Sequence, residues 1–295
     1  MTALLVDGPN ILMRAIRAME RPGQPPLSAD GIATGPLLVF INCLSKHIRE
    51  ERPDKVVVCW DGGRSKFRTD IHPGYKAHRT SGASDFEQGS FTLSKAFLSF
   101  AGIHHVERPP VEADDLIAYY WRNNRPLDEK VVILSNDKDF LQLLVPDLVE
   151  IVRVSSGGAD TDRWTSERFL AERGYESEYE GQVMALMGDS GDGVPGIPGI
   201  GPKKAVKIME DCSWSWLRAL DHPKVVEHRQ QVEMALRLVD LRQAGLALNV
   251  QPLPPFEPTG LTSITYQDLL DFLHRYQLES VYSRVISNTL WRDHG

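Results

Sequence analysis

The sequence has few cysteines and no long apolar run. Its three cysteines, Cys43, Cys59 and Cys212, are far apart and form no CxxC pair, which argues against a structural zinc site and favours reduced thiols in the cytoplasm. No run of about 18 apolar residues is present, so we expect no membrane-spanning helix and no membrane partner. The opening MTALLVDGPN lacks the features of a signal peptide. A P-loop is also missing, so phosphoryl transfer from ATP is not indicated.

An excess of positive charge is missing as well. The chain has 33 Lys and Arg against 40 Asp and Glu, a net charge of −7, which by itself argues against a nucleic-acid partner. The distribution of charge matters more than the total. Nine carboxylates fall in short acidic clusters, whereas residues 64–79 carry five basic residues and the single acid Asp70. Acidic clusters beside a basic segment suit an enzyme that binds a polyanion through bridging cations.

Several apolar segments are typical of strands, and three of them end at an aspartate. These three are ALLVD at 3–7 with Asp7, KVVVCWD at 55–61 with Asp61, and VVILSND at 131–137 with Asp137. A fourth strand is predicted at 148–154, and helical patterns at 8–19 and 35–51 alternate with the strands. This alternation predicts an α/β fold, with a mostly parallel central sheet flanked by helices. Because functional groups gather at the carboxyl ends of such strands, the three aspartates form the first candidate site.

The pattern of strands stops at about residue 160, and helical patterns follow. We therefore predict an α/β domain at 1–160 and a helical region at 161–295, with the boundary at the turn-forming SSGGAD of 155–160. The predicted helices of the second region lie at 165–173, 178–187, 203–211 and 224–243, with two more amphipathic helices between 265 and 291. The Gly/Pro-rich stretch GDGVPGIPGIGP at 191–202 interrupts them.

The acidic residues form four clusters. They are the strand-end pair Asp7 and Asp61, the group Glu112, Asp114 and Asp115, the pair Asp137 and Asp139, and the pair Asp189 and Asp192. A single aspartate at a helix start is most often a cap, and NDKD is also compatible with an Asx-turn. Together, however, these carboxylates would repel one another at one sheet edge without cations. Hard divalent ions such as Mg²⁺ or Mn²⁺ prefer oxygen ligands, and two of them clamp a phosphodiester.

The segment EADDLIAYY predicts how its acids are arranged. Apolar residues at Ala113, Leu116, Ile117 and Tyr120 have helical spacing, so Asp114 and Asp115 flank the buried face at the helix N-terminus. Glu112 then shares a metal ion with Asp114 only if it lies in the turn that enters the helix. The neighbouring His104–His105 is interpreted as a loop or strand-end pair.

GVPGIPGIGPKKA at 193–205 is the most specific local motif. Gly199 and Gly201 allow the backbone amides of a tight hairpin to approach a phosphate at the start of the next helix. Lys203 and Lys204 add positive charge there. This is the sequence form of a helix–hairpin–helix, placed at about 188–211, which binds the duplex backbone without reading bases.

At this point the chain resembles the flap endonuclease / 5′-3′ exonuclease family, which includes phage 5′-nucleases and the N-terminal nuclease domain of bacterial DNA polymerase I. The resemblance covers about residues 3–210. It rests on VDGPNILMR at 6–14, WDG…FR…YKAHR within 60–79, EADD at 112–115, SNDKDFLQL at 135–143 and GDSGDGVPGIPGIGPKKA at 188–205. One departure is Met13, where the family usually has an aromatic residue that stacks on a nucleotide.

The resemblance implies a set of roles. Asp7, Asp61, Glu112 and Asp114 serve a first metal ion, with Asp115 beside them, and Asp137, Asp139, Asp189 and Asp192 hold a second. Lys76 and Arg79, at the base of a helical arch at about 76–95, polarise the scissile phosphate. Arg14, Arg68, Gly199, Gly201, Lys203 and Lys204 contact the DNA backbone. The family's hairpin carbonyls can also hold a monovalent cation such as K⁺.

The expected function is therefore a structure-specific 5′-nuclease of the PIN-like/5′-nuclease fold, acting by a two-metal-ion mechanism in replication, repair and primer removal. The expected substrate is branched or flapped DNA, with RNA primer strands as a further one. We expect a free-standing monomer in the cytoplasm, either nucleoid-associated or in a phage-infected cell. Two alternatives stay open. They are a PIN-like ribonuclease, which needs neither hairpin nor arch, and a non-catalytic junction-binding protein in which the acids are structural caps.

Overall fold

The computed structural model of the chain describes residues 1–19, 28–29, 32–79, 82–123, 129–154, 161–243, 251–256, 263–288 and 290–291. The strands are β1 (Thr2–Asp7), β2 (Ser28–Ala29), β3 (Ile32–Ala33), β4 (Lys55–Trp60), β5 (His105–Glu107), β6 (Lys130–Leu134), β7 (Val149–Val154) and β8 (Thr161–Trp164). The helices of the first half are α1 (Gly8–Met19), α2 (Gly35–Glu51), α3 (Lys66–Ile71), α4 (Asp85–Phe100) and α5 (Ala113–Asn123). Those of the second half are α6 (Ser166–Arg173), α7 (Glu180–Met187), α8 (Pro202–Asp211), α9 (Trp216–Leu220), α10 (Arg229–Val239), α11 (Ser263–Arg275) and α12 (Glu279–Ile286).

A six-stranded sheet with the order β5-β4-β1-β6-β7-β8 forms the centre of the described structure. Neighbouring strands are parallel except for β8, which pairs antiparallel with β7 at the edge. β2 and β3 form a separate antiparallel pair. The predicted α/β fold, with a mostly parallel sheet flanked by helices, is confirmed.

Both faces of the sheet are apolar, because helices cover both of them. Along β1, Leu4 and Val6 point to one face, where they pack with α1, α2, α4, α11 and α12. Ala3 and Leu5 point to the other face and pack with α5 and the helices from α6 to α10. Side chains alternate between faces along a strand, so a strand buried on both sides must be apolar at every position. This requirement explains the continuous apolar runs at β1, β4 and β6.

The sheet brings three strand ends to one edge. β1 lies between β4 and β6, with Asp7 opposite Cys59 on one side and Val6 opposite Leu134 on the other. Asp61 and Ser135 directly follow these partner strands, so polar residues of three adjacent strands meet where the strands end. The predicted gathering of the strand-end aspartates follows from this register.

The predicted boundary at residue 160 needs a correction. The turn at 155–160 lies outside the described residues, and the strand pattern continues beyond it, because β8 (Thr161–Trp164) still belongs to the sheet. The region predicted as a helical unit at 161–295 is also divided. α7, α8 and α10 pack on one face of the sheet, whereas α11 and α12 return to the opposite face. Segments on both sides of the boundary therefore share the same two cores.

The predicted arch at 76–95 needs a second correction. α4 begins inside this range with a capping box, in which Ser84 accepts from the Glu87 amide and the Glu87 side chain accepts from the Ser84 amide. From Ser90 onward the helix buries one side, and Leu93 belongs to the core. The last part of the predicted arch is therefore core structure. Residues 80 and 81, within the range, lie outside the described residues.

Two further findings concern membrane-spanning helices and the state of the cysteines. No described helix has the length and apolarity needed to cross a bilayer. All three cysteines are free thiols, as expected from their spacing.

Candidate active site

Asp7 lies at the end of β1 and is 7% exposed. Its Oδ2 accepts a hydrogen bond of 2.7 Å from the Ser135 hydroxyl, and its Oδ1 accepts one of 3.1 Å from the Asn10 amide. Asn10 in turn accepts from the Asn136 amide at 3.0 Å. The start of α1 and the end of β6 thus fix the orientation of this carboxylate from two sides.

Asp137 and Asp139 lie on the turn that follows β6. Asp137 caps the 3₁₀ helix at Lys138–Leu143, because its Oδ1 accepts from the Asp139 amide at 3.0 Å. The interpretation of NDKD as an Asx-turn is therefore correct as a description of the backbone. It does not account for Asp139, whose buried Oδ1 accepts no hydrogen bond from the described residues. A buried acceptor left in this state costs free energy unless a ligand satisfies it.

Glu112, Asp114 and Asp115 form the acidic end of α5. One carboxylate oxygen from each lies within 4.8 Å of the others, a spacing that could hold a metal ion. The helix begins at Ala113, so Glu112 lies in the turn that enters it, which is the condition the sequence set for a shared ion. Asp61 faces this group from β4, and its Oδ1 accepts from the Ala113 amide at 2.8 Å.

Arg68 is not placed to contact DNA, contrary to the role implied by the resemblance. The residue is 2% exposed. Its guanidinium donates to Glu112 at 3.0 Å and to Asp115 at 2.9 Å, and its Nε donates to the Leu238 carbonyl of α10 at 2.9 Å. A side chain enclosed in this way cannot reach a phosphate. Arg68 instead neutralises two of the α5 acids and ties them to the helices of the second half of the chain.

The loop at 72–79 packs against the loop at 189–193. The Lys76 amide donates to the Asp192 carbonyl at 2.8 Å, and the His72 ring contacts the Gly193 carbonyl at 3.1 Å. Gly193 has a φ of +71°, and a Cβ there would lie 2.8 Å from the Gly74 carbonyl oxygen, so the close approach of the two loops needs glycine. Two clusters that are about 115 residues apart in sequence are thereby joined.

Three side chains of the 72–79 loop bridge the acidic groups. The Tyr75 hydroxyl lies 2.9 Å from Glu112 and 3.3 Å from Asp192. Lys76 Nζ lies 2.9 Å from Glu112 and 3.6 Å from Asp192. The Arg79 guanidinium, on the solvent side, donates to Asp192 at 2.6 Å. The sequence predicted Lys76 and Arg79 here, whereas Tyr75, like Ser135 and Asn10, was missed because nothing in its neighbourhood distinguishes it from a core tyrosine.

The charges of the acids reach one another across the site. Burial, assisted by the charges of Asp61 and Asp137, raises the pKa of Asp7 to about 7. Burial and the charges of Asp137 and Asp189 raise the pKa of Asp139 to about 8. Burial also raises the pKa of Asp137, with contributions from Asp114 and Asp192. The acidic residues of all four clusters therefore share one electrostatic environment, as a single pocket requires.

The basic residues have the opposite effect. Burial alone would lower the pKa of Lys76, but the charges of Asp114, Glu112 and Asp192 outweigh it and the pKa is raised. Asp114 is half-buried, which by itself would raise its pKa, yet the charges of Arg68 and Lys76 hold this pKa below the ordinary value. Burial and the charge of Asp114 raise the pKa of Asp115 to about 7. Lys76 is accordingly a permanent cation in the middle of the acidic pocket.

The donor set of this pocket fits small, hard cations. Among the described residues, the group at Glu112, Asp114 and Asp115 offers carboxylate oxygens alone, which is the donor set preferred by Mg²⁺ and Mn²⁺. The unsatisfied Oδ1 of Asp139 and the raised pKa values of Asp7 and Asp139 both indicate carboxylates whose charge needs further compensation. Neither observation is explained by a purely structural cap.

The segment predicted to form the hairpin lies between α7 and α8. Gly199 has a φ of +73° and nothing near the position of a Cβ, and Gly201 is the residue before the first turn of α8. Lys203 and Lys204 are exposed in that turn, and Lys204 Nζ donates to the Gly199 carbonyl at 2.8 Å. The backbone amides and lysines predicted to meet a phosphate are thus together on the surface.

The remaining predicted residues lie on α1. Arg14 is half-buried there, one turn beyond the residues that hold Asp7. Met13 is also half-buried and packs against the core on the α1 face of the sheet. The position at which an aromatic residue was expected is therefore partly used for packing.

Comparisons with known proteins find related sequences and related folds. A family model described as "5′-3′ exonuclease, N-terminal resolvase-like domain" matches residues 2–174, more than half of the chain. A 5′-3′ exonuclease of Bacillus subtilis is 28% identical over 284 residues, with 94% of each chain covered. A 5′-3′ exonuclease of Aquifex aeolicus is 34% identical over 210 residues, covering 71% of this chain and 69% of that one.

Solved structures share the fold. A crystal structure of the bacteriophage T5 flap endonuclease, in a pseudo-enzyme-product complex with DNA and metal ions, superposes with a TM-score of 0.64. The match covers 93% of this chain and 100% of that one, at 20% sequence identity. At this identity the similarity concerns the fold alone. It extends beyond the sequence motifs into the C-terminal part of the chain.

Proposed function

This chain belongs to the 5′-3′ exonuclease family, and from this premise we propose that its acidic pocket holds two Mg²⁺ or Mn²⁺ ions and cleaves DNA near 5′ flaps, nicks or junctions. The protein is a metal-dependent hydrolase and a structure-specific 5′ nuclease. From the geometry of this chain we infer the identity of the metal, the roles of single residues and the form of the DNA.

One observation carries the proposal. Carboxylates from three strand ends, from the start of α5 and from the 189–193 loop lie within one another's electrostatic reach, and a half-buried lysine lies among them. Structural caps would not need to converge, and a protein that only binds junctions would gain nothing from repelling acids. Cations are needed to hold such a pocket together, and a phosphodiester is the substrate that these cations and Lys76 can bind together.

The acids divide between two ions. We propose that Asp7, Asp61, Glu112 and Asp114 serve the first ion and that Asp137, Asp139, Asp189 and Asp192 serve the second. Asp115 is held by Arg68 from two nitrogens, so we assign it to positioning α5 rather than to a metal. When bound, such a pair of ions activates water on one side of the phosphodiester and stabilises the leaving oxygen on the other.

The side chains around the pocket then have separate tasks. Ser135 and Asn10 fix the rotamer of Asp7, and Tyr75 fixes Glu112 relative to Asp192. Lys76 presents a permanent positive charge where the charge of the phosphate increases during hydrolysis, and Arg79 presents a second one at the solvent side. Both can orient the scissile phosphate without taking part in proton transfer.

The DNA path leads from the hairpin to this pocket. We propose that the duplex docks on the amides near Gly199 and Gly201 and on the Lys203 and Lys204 ammonium groups, with Arg14 as a further backbone contact. We propose RNA primer strands as a second substrate, because the phosphodiester that the two ions would bind is present in RNA as well. A K⁺ ion at the hairpin would use carbonyls other than that of Gly199, which Lys204 already occupies.

We also propose that the protein is a monomer in the cytoplasm. The large exposed apolar side chains, including Phe67, Leu217 and Ile286, are spread over α3, α9 and α12. Within the described part of the chain these side chains lie on different elements and not on a single one, which supports our proposal of a monomer. The three free cysteines support our proposal that the protein acts in the cytoplasm.

The direct test maps cut positions on a 5′-labelled DNA flap, a nicked duplex and a single strand, with Mg²⁺ and with EDTA. We expect Mg²⁺-dependent cuts near the flap junction, with a 5′-phosphate on the downstream product. A single-stranded RNA serves as the comparison substrate. Preferred cleavage of this RNA would instead favour a PIN-like ribonuclease. Flap binding by the pure protein without any Mg²⁺-dependent cut would indicate a junction-binding protein.

The stability of the metal-free protein should depend on pH in an unusual direction. Asp7 and Asp139 ionise at about 7 and about 8 in the folded chain because they are buried, whereas an unfolded aspartate ionises near 4. Between these values the unfolded chain has released protons that the folded chain still holds. The free energy of unfolding should therefore fall as the pH rises from about 4 to about 8, and it should level off above that range.

Thermal unfolding in EDTA and in Mn²⁺ measures this effect. Mn²⁺ binds the ionised carboxylates, so it should raise the melting temperature more at pH 8 than at pH 6.5. Asp139→Asn is the matched variant, since it removes one titrating group and should flatten the pH dependence in EDTA. A metal-free melting temperature that rises with pH over this window would contradict the assignment of these acids to a cation site.

A further inference from the structure

A separate concave surface lies beside the hairpin, about as large as a small ligand site. Its volume is about 350 Å³. One wall consists of hairpin residues 197–200 and Lys204, and the other of Pro223, Lys224, Glu227 and His228. We call it the hairpin pocket. None of the sequence motifs includes its second wall, which belongs to the turn between α9 and α10.

The second wall is held in place by the core. Val225 is fully buried, and its amide donates to the His222 carbonyl at 2.8 Å. The Lys224 amide donates to the His222 ring at 3.2 Å, and a short 3₁₀ helix at Val226–His228 leads directly into α10. Lys224 therefore projects from a turn whose backbone is fixed on both sides. Its position relative to the hairpin is set by the fold.

The charge of the hairpin pocket is that of an anion site. Two lysines line it, one on each wall, and Glu227 is the single acid among its lining residues. Lys224 is exposed and forms no ion pair with any residue in the described part of the chain, and Glu227 is exposed to solvent as well. The nearby Asp211 is engaged by Lys207 at 2.9 Å. The His228 ring adds a group that can donate a hydrogen bond.

The occupant follows from the geometry of a DNA strand. Phosphates succeed one another about every 3.4 Å of helix axis along one strand, so a phosphate at the hairpin amides has a neighbour within the span of the pocket. We propose that the hairpin pocket binds this second backbone phosphate, with Lys224 as its main cation. The contact extends the duplex footprint from the hairpin to the 223–228 turn. The inference rests on the proposed function, because it takes the hairpin as the duplex-binding element.

The test measures duplex binding as a function of salt. A labelled nicked duplex is titrated with wild-type protein and with Lys224→Gln in EDTA at several KCl concentrations, so that no cleavage occurs. Each phosphate contact adds about 0.9 to the slope of log affinity against log salt. Lys224→Gln should therefore reduce the steepness of the slope by about one and weaken binding by about 3- to 10-fold at moderate salt.

Two further variants make the result decisive. Lys130→Gln removes the same charge from the start of β6, at the opposite edge of the sheet, and should leave the slope unchanged. Lys203→Gln removes a charge from the hairpin itself and should reduce the slope like Lys224→Gln. If only Lys203→Gln reduces it, the hairpin pocket does not bind a phosphate, although the hairpin does. If Lys224→Gln and Lys130→Gln have equal effects, the change reflects net charge alone and the pocket proposal is wrong.

The outcome is independent of the nuclease activity. Loss of the Lys224 effect would leave Mg²⁺-dependent flap cleavage by the wild-type protein untouched. Absence of cleavage would in turn leave the salt slope measurable. The two proposals therefore fail separately.

Discussion

Replacing both Asp137 and Asp189 by asparagine is expected to reduce the cleavage rate by at least about 10³-fold, because each contributes charge to the second metal position. The charges of both residues raise the pKa of Asp139, so the three carboxylates lie close together. Asparagine keeps the size of each side chain and the hydrogen bonds that Asp137 and Asp189 accept from the Asp139 and Gly191 amides. The variant therefore loses charge rather than shape.

The double variant should still fold and bind DNA. Removing two mutually repelling carboxylates does not destabilise the metal-free protein, so circular dichroism and the melting temperature in EDTA should match the wild type or exceed it. The matched control is Asp147→Asn with Asp271→Asn, two exposed carboxylates outside the pocket. Single-turnover cleavage of a labelled flap gives the rate, and titration in EDTA gives the affinity. Undiminished turnover of the double variant would remove these residues from the metal site.

The arrangement of the sheet was predictable because its physical signals are local and repeated. β1, β4 and β6 each contain an unbroken apolar run, at residues 3–6, 56–60 and 131–134, which a sheet covered on both faces requires, and each run ends at a polar residue at the same edge. Helix periodicity placed Asp114 and Asp115 at the start of α5, whereas the position of Glu112 in the entering turn was only a condition for a shared ion. In these cases a short stretch of sequence contains the whole reason for the structure.

Features that depend on distant residues were not predictable in the same way. Arg68 has the sequence surroundings of a surface basic residue, and only the approach of α10 encloses it and turns it toward Glu112 and Asp115. Similarly, the tail helices α11 and α12 are amphipathic, but the sequence does not state which surface they cover. α11 packs on α4, the helix that begins inside the predicted arch, and Phe272 contacts the rings of Phe97 and Phe100 there. In both cases the partner lies more than 150 residues away in the chain.

Lys76→Met is expected to lower the single-turnover rate of flap cleavage by about 10²-fold, the usual effect of removing one charged group that stabilises the transition state. Lys76 Nζ lies 2.9 Å from Glu112 and 3.6 Å from Asp192, so its charge lies between the two proposed metal positions. Methionine has nearly the same length, and its thioether can pack on the Tyr75 ring where the lysine ammonium lies 5.0 Å from the centroid. The change therefore isolates the charge from the packing.

The measurement must distinguish a lost phosphate contact from a damaged metal site. Lys76 is a cation beside two proposed ligands, so its removal should leave Mn²⁺ affinity unchanged or increase it, whereas a collapsed site would bind Mn²⁺ more weakly. Mn²⁺ titration followed by electron paramagnetic resonance separates these outcomes. Lys66→Met is the matched control, since Lys66 is exposed on α3 and pairs only with Asp70 at 2.7 Å among the described residues. A near-normal cleavage rate in Lys76→Met, with unchanged Mn²⁺ binding, would show that the charge inside the acidic pocket serves its stability and not the phosphate.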